Sequence, residues 1–363
     1  MTSLAVAPAT TRAPRVKETD VLGSLTKVCE AHGLGEMSRQ LVSIGELVRW
    51  DMAAIEGSLS GLPLRADVVG QSAGHLVDLG GKRLRPMCVA LAARLGSGFG
   101  PAAHELAVSV ELVHCATLLH DDVVDMGDTR RGAPAARVVY GNAASIFAGD
   151  WLLVEALRRV ASAGVPEALT LLLDIIDEMI RGEAVQLESR GRLDLPASTY
   201  FEIVEAKTAA LFRWAMVAGG RAGQLSASHL NALERYGRHL GVAFQLVDDL
   251  LDYEGQDHVT GKQPFADLRE GKMTYPLILA LERDASLRPL LEQVVTLGAD
   301  AVLEPTVGAG LLEAMQRTGA AEESRGLARE RCAQAVACLD ALDDSPAKDA
   351  LITVAHATVH REK

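Results

Sequence analysis

An all-α fold is what this sequence predicts, on three observations. Apolar residues recur with helical periodicity through almost everything after residue 20, in segments of roughly 10 to 25 residues. Breakers separate the segments: Gly61-Leu62-Pro63, Gly96 to Pro101, Gly164-Val165-Pro166, Gly191 to Pro196, Gly219-Gly220 and the stretch Gly255 to Gly271. The chain is 48% hydrophobic but only 4% aromatic, so its core is built from Leu, Val, Ile and Ala, a composition that leans toward helix. No segment alternates with period two for long enough to make a sheet.

Length alone would allow roughly two domains for 363 residues. No internal repeat, low-complexity block or Pro/Ser-rich linker divides them, so one large domain over residues 19–363 is expected behind a disordered tail over residues 1–18. That tail carries Arg12, Arg15 and Lys17 with no acid in its first 17 residues. It weakly resembles a transit peptide, but a plain tail is the simpler reading, and Leu4 to Pro8 is too short for a signal-peptide core.

Two helices stand out in chain order. The first, from Ala102 to Asp125, is apolar on nearly all faces, through Leu106, Val108, Val110, Leu112, Val113, Ala116, Leu118 and Leu119. A helix apolar all round is a buried one. The second runs from about Ala227 to Asp252, with Leu240, Val242, Ala243, Phe244, Leu246 and Val247 leading into its end. Both finish in aspartates: Asp121-Asp122-Val123-Val124-Asp125 and Asp248-Asp249-Leu250-Leu251-Asp252.

In each burst the first and third aspartates are four apart and share a helical face, with the middle one about 100° round. With 23 aspartates in the chain, one such pattern should arise by chance roughly 0.09 times. Two are not chance. Aspartate is also a poor helix former and is unfavourable at a helix C-terminus, where the macrodipole is already negative, so something cationic must compensate. Clustered carboxylates are the ligands Mg²⁺ takes, one or two per ion, with water and substrate phosphate completing the shell.

The formal charge is −12 and the sequence pI is about 5.3, which disfavours nucleic acid or anionic lipid as partners. Phosphate must therefore be held by local cations. Candidates are Gly80-Gly81-Lys82-Arg83-Leu84-Arg85-Pro86, Arg130-Arg131-Gly132, Lys207-Thr208, Lys262 after Gly261 and Lys272 after Gly271. Each alone reads as ordinary surface charge; their position around both acidic bursts points to anion binding. No P-loop, GxGxxG or HExxH pattern occurs. Cys29, Cys88, Cys115, Cys332 and Cys338 are scattered and never C-x-x-C, which suits small buried hydrophobes in a reducing, cytoplasmic compartment. No apolar run reaches the roughly 18 residues of a membrane span.

These motifs together resemble those of the trans-isoprenyl diphosphate synthases, and within them the long-chain heptaprenyl, octaprenyl and solanesyl diphosphate synthases. The match is collinear from Gly80 to Pro276: GGKRLRP at Gly80 to Pro86, HCATLLHDDVVD at His114 to Asp125, RRG at Arg130, GNAAS at Gly141 to Ser145, GEAVQL at Gly182 to Leu187, KTAALF at Lys207 to Phe212, GVAFQLVDDLLD at Gly241 to Asp252, and DLREGKMTYP ending at Pro276. It fits more loosely on either side.

The resemblance implies a helical bundle around one deep central cavity, usually a homodimer, that condenses isopentenyl diphosphate with an allylic diphosphate. Asp121, Asp122, Asp125, Asp248 and Asp249 would bind Mg²⁺ bridging the allylic diphosphate, with Asp252 acting mainly from behind them. Arg130, Lys207 and Lys262 would hold the allylic diphosphate; Lys82, Arg85, His114 and Arg131 would hold isopentenyl diphosphate. Thr208 and Gln245 would line the reacting centre. His114 as a lone histidine would more often be a satisfied core residue, so its role comes from the family pattern alone. Metal ions would neutralise the leaving diphosphate, the double bond of isopentenyl diphosphate would attack, and the departed diphosphate could take the proton. Membrane contact would be transient, through the apolar product.

Ala116 and Thr117 are small where short-chain members usually carry an aromatic. A long product is therefore implied, with Trp151 or Leu152 as the expected stop. The chain departs from the family pattern at Phe265 and Ala266, where a glycine and an acid are usual, while Asp267 matches. Three other readings stand beside this one: a short-chain geranylgeranyl diphosphate synthase, a class I terpene cyclase, and an inactive regulatory subunit of a heteromeric synthase. The cyclase would carry an Asn/Asp-Ser/Thr-Glu second motif and no GGKRLRP, and the regulatory subunit would have lost one aspartate motif.

Overall fold

The computed structural model describes residue 23 and residues 35–254, 265–298 and 303–360. Lys262, Cys29 and the expected 1–18 tail lie outside them. The described chain is helical as expected. Helices α1 (Gly35–Ser60), α2 (Val68–Asp78), α3 (Leu84–Arg94) and α4 (Pro101–Val124) are followed by α5 (Ala136–Tyr140), α6 (Asn142–Ala163) and α7 (Ala168–Ser189). Then come α8 (Ala197–Val204), a π-helical turn (Glu205–Ala209), α9 (Ala210–Ala222) and α10 (Ala227–Glu254). After residue 264 follow α11 (Ala266–Arg269), α12 (Tyr275–Arg283), α13 (Arg288–Leu297), α14 (Pro305–Arg317), α15 (Ala320–Cys338) and α16 (Pro346–Val359).

The apolar residues of α4 make it the centre of the larger core, packed along α6 and against α3 and α9. A second apolar cluster is built on α8, α12 to α15 and the C-terminal half of α10. Both predicted central helices are present, and both acidic bursts stand at helix C-termini, Asp125 as the residue that ends α4.

One element departs from the all-helical expectation. Thr129–Arg130 and Ala133–Pro134 pair antiparallel across the two-residue turn Arg131-Gly132. Both turn residues are left-handed, φ 53° and 75°, the geometry that matches strand twist in a tight hairpin. Its effect is to fold the two arginines back over the end of α4.

Two close helix crossings fix the wall opposite α4. A β-carbon at Gly219 of α9 would stand 2.4 Å from the Val89 carbonyl oxygen of α3, and one at Gly241 of α10 would stand 2.4 Å from Ala209 Cα. Only glycine permits the second approach, which presses α10 onto the π-helical turn and sets the residues one turn later against it.

Candidate active site

On α4, the half-buried residues His114, Thr117, Leu118 and Asp121 punctuate a run of buried ones, including Cys115, Ala116 and Leu119. Their spacing puts them on one face. The two residues expected to set chain length divide here: Thr117 lies on this face, its hydroxyl donating to the His114 carbonyl at 2.8 Å, while Ala116 is only 2% exposed and packs in the core. Leu152 is also fully buried in that core, with Trp151 packed against it.

The three aspartates ending α4 have different surroundings. Burial raises the Asp121 pKa, opposed by Lys207 and reinforced by Glu183 and Asp125. Asp122 is 1% exposed; its Oδ1 accepts from Arg130 Nε at 2.9 Å, and its buried Oδ2 has no hydrogen-bond partner. Asp125 accepts from Lys272 Nζ at 2.8 Å and is paired with Arg190. Burial opposes its ionisation, but Lys272 and then Arg190 outweigh that and hold its carboxyl below the usual range. Arg190 also donates to the Val124 carbonyl at 3.3 Å, supplying the cation that an acidic helix C-terminus requires.

The facing wall is the π-helical turn and α10. An extra residue per turn is typical of functional positions, and this one carries Lys207 and Thr208. Lys207 pairs with Glu183 of α7 and acts on Asp121. Thr208 Oγ1 donates to Gln245 Oε1 at 2.8 Å, Gln245 Nε2 donates to Asp249 Oδ1 at 2.7 Å, and Tyr200 Oη donates to Asp249 Oδ2 at 2.6 Å. Burial, then repulsion from Asp267 and Asp248, pushes the Asp249 carboxyl up to about 8. Asp248 is exposed. Asp252 accepts from the backbone N–H groups of Ala266 at 3.2 Å and Asp267 at 3.3 Å, capping α11.

The third part is the glycine turn before α3. Gly80 is left-handed at φ 76°, and a β-carbon on Gly81 would stand 2.8 Å from the Arg131 guanidinium, so Arg131 lies flat on this turn. Lys82 is exposed beside it. The Arg85 guanidinium stacks 4.6 Å from the Phe212 ring centroid. Burial, then the charges of Arg85, Arg131, Arg130 and Arg83, holds the His114 imidazole well below its usual pKa. The four groups expected to take isopentenyl diphosphate are therefore gathered at one place.

Sequence reasoning missed Glu183, Arg190 and Tyr200, counted Arg83 among the phosphate-holding cations where the structure buries it against Glu56 and Glu111, and gave Lys272 no role at the aspartates. Glu183, Gln186 and Arg190 follow each other at three and four residues along α7, a polar stripe that could have flagged the first and third. Phe265, where the family resemblance leads one to expect glycine, is left-handed at φ 61°. Its fully buried ring lies 5.0 Å from that of Tyr253. The conformation explains why glycine suits this position, and the packing explains how phenylalanine holds it.

Among the described residues no three acidic, imidazole or thiol groups stand close enough to cage a cation alone. The donor set nevertheless fits Mg²⁺, which takes one or two carboxylates and leaves the rest of its shell to water and phosphate. The unsatisfied Asp122 Oδ2 and the crowded, proton-retaining Asp249 are both groups that a nearby cation would relieve.

A family model described as polyprenyl synthetase matches residues 66–303. The octaprenyl diphosphate synthase of Escherichia coli (strain K12) is 37% identical over 329 residues, covering 89% of this chain and 99% of that protein. The heptaprenyl diphosphate synthase component 2 of Geobacillus stearothermophilus is 33% identical, covering 83% of this chain and 92% of its own. Among solved structures, a polyprenyl synthase from Caulobacter crescentus CB15, complexed with calcium and isoprenyl diphosphate, superposes with a TM-score of 0.83. It is 34% identical, over 88% of this chain and 98% of that one.

Proposed function

Because the chain belongs to the polyprenyl synthetase family, we propose that it is a Mg²⁺-dependent prenyltransferase that extends an allylic diphosphate with isopentenyl diphosphate to an all-trans long-chain product. One observation carries the reading: a single π-helical turn stands within reach of both acidic motifs, the charge of Lys207 acting on Asp121 and Thr208 linked to Asp249 through Gln245. Two aspartate clusters held either side of two substrate-contacting side chains suit a diphosphate bridged between walls. The relatives support the product class, since an octaprenyl and a heptaprenyl synthase match over most of their length. The calcium and isoprenyl diphosphate in the Caulobacter structure support a divalent cation beside the diphosphate.

Arg130, Lys207, Lys262 and Lys272 hold the allylic diphosphate. Lys82, Arg85, Arg131 and His114 hold isopentenyl diphosphate. When bound at the aspartates, Mg²⁺ supplies positive charge to the leaving diphosphate. Arg130 and Lys207 stabilise the negative charge that develops on the diphosphate as the allylic C–O bond breaks with its electron pair on oxygen. The turn at Lys82 and Arg85 presents the isopentenyl double bond, whose electrons form the new C–C bond. The proton released passes to a diphosphate oxygen, while Thr208 and Gln245 line the reacting centre.

The protein is taken to act as a homodimer. Ile146 and Phe147 of α6 are exposed, Phe147 by 59%, as are Leu173 and Ile180 of α7, an apolar surface that a second copy would cover. The described cysteines Cys88, Cys115, Cys332 and Cys338 are free, in keeping with a cytoplasmic setting. Both aspartate motifs are present, which favours an active enzyme over a regulatory subunit. The test is a Mg²⁺-dependent condensation assay with labelled isopentenyl diphosphate and farnesyl diphosphate, followed by chromatography of the dephosphorylated products. Long polyprenols support the reading, and no incorporation at any metal concentration rejects it.

A further inference from the structure

Between Lys82 and Arg85 stands an arginine that the substrate assignment leaves without a role. Arg83 is the residue before α3, and its backbone is left-handed, φ 53° and ψ 27°, a conformation that a residue with a β-carbon adopts only under constraint. Its carbonyl already accepts from Met87 N at 3.1 Å, so the strained step is also the first step of the helix. The constraint is visible. The side chain is 2% exposed; Nε donates to Glu56 Oε1 on α1 at 2.6 Å, and Nη1 donates to the equally buried Glu111 Oε1 on α4 at 2.5 Å. A guanidinium can reach two carboxylates in two directions at once, which a lysine ammonium on a flexible stem does less well.

We propose that Arg83 is a positioning residue for isopentenyl diphosphate: clamped between Glu56 and Glu111, it locks the left-handed step that turns Lys82 and Arg85 toward the same ligand. The inference rests on the reading above that those two cations take isopentenyl diphosphate. If residue 83 relaxed into a helical or extended conformation, Lys82 would swing away from Gly81 and Arg131 while Arg85, the second residue of α3 and stacked on Phe212, stayed put. The Arg131 guanidinium lying on Gly81 would lose its seat in the same movement. Arg83 also belongs to the set of charges acting on His114, which places it within electrostatic reach of the same site. The geometry therefore acts on one substrate and not on the other, whose diphosphate is held at the aspartates.

The experiment compares Arg83→Lys and Glu56→Gln with Lys82→Ala and Arg85→Ala. It reads calorimetric binding of isopentenyl diphosphate without metal, KM for each substrate, kcat, and melting temperature. Arg83→Lys should weaken isopentenyl diphosphate binding and raise its KM about tenfold, leave the allylic KM within about twofold, and change kcat little. Glu56→Gln, at the more exposed end of the clamp, should show the same selectivity at about threefold and serves if the lysine variant folds poorly. Equal rises in both KM values, or a lower melting temperature with neither KM moved, would reduce Arg83 to a structural tie between α1 and α4. If Lys82→Ala and Arg85→Ala leave isopentenyl diphosphate binding intact, the substrate assignment itself has failed. If they weaken it and the clamp variants do not, only the role of Arg83 is lost.

Discussion

Tyr200 Oη donates to Asp249 Oδ2 at 2.6 Å, and Gln245 occupies the other oxygen of the same carboxylate. Both oxygens of this buried acid are thereby held by protein donors, and Asp249 is fixed in orientation before any ligand arrives. Asp248, on the adjacent position, is exposed. Tyr200→Phe keeps the ring that stacks on Tyr275 at 5.8 Å and removes one hydrogen bond to a carboxylate, worth about 1–3 kcal/mol. The expected result is a roughly tenfold fall in kcat with a higher Mg²⁺ requirement, read from the metal dependence of turnover. An unchanged metal midpoint would show that Tyr200 only packs.

Asp249 also sets a pH dependence. In the folded, metal-free protein it keeps its proton up to about pH 8, whereas in the unfolded chain it ionises near ~4. Between these values the native state binds more protons than the unfolded one, so stability from this group is present at low pH and is lost as pH rises toward 8. The slope approaches about 1.4 kcal/mol per pH unit for one proton. Melting temperatures of the metal-free protein from pH 5.5 to 8.5 should therefore fall more steeply than those of Asp249→Asn. Parallel curves would place the raised carboxyl elsewhere.

The outline of the site was legible because its signals are local. Two buried helices each ending in three aspartates, and a glycine turn running into cations, are short-range patterns whose geometry follows from helical period alone. What stayed hidden depends on residues brought together from far along the chain. Arg190 meets Asp125 across 65 residues, and Lys272 meets it across 147. The π-helical turn at Lys207 and Thr208 arises where Gly241 lets α10 press onto Ala209, a tertiary contact that no local preference announces. The hairpin at Arg131-Gly132 was missed for a different reason: its strands are two residues long, too short for any period-two pattern.

Removing a charge from either acidic motif tests the core of the reading. Asp121 lies opposite Lys207, and Asp248 is the exposed aspartate of the second motif. Asp121→Asn and Asp248→Asn keep size and shape while deleting a negative charge, so the fold should survive. Each should lose at least about tenfold in kcat, or about 1.4 kcal/mol in the barrier. Single-turnover kinetics at saturating substrate measure this directly, and near-normal rates in both variants would reject the assignment of the motifs to metal and diphosphate.

Product length is the last outcome the structure allows to be argued. Thr117 lies one turn below Asp121 on the face that also carries His114, and about 6 Å of helix separates residues four apart. A prenyl chain running down from a diphosphate at Asp121 meets position 117 within its first units. Ala116 faces the other way, 2% exposed among core side chains, where extra atoms would be overpacked at a typical penalty of about 1–3 kcal/mol. The two substitutions should therefore behave differently. Thr117→Phe should shift products to farnesyl or geranylgeranyl length while keeping a near-normal melting temperature. Ala116→Phe should lower the melting temperature with less effect on length. Chromatography of the dephosphorylated products beside thermal unfolding separates them. If Ala116→Phe shortens the product and Thr117→Phe does not, the cavity wall runs along the opposite side of α4 from His114 and Asp121, and the path assigned to the growing chain is wrong.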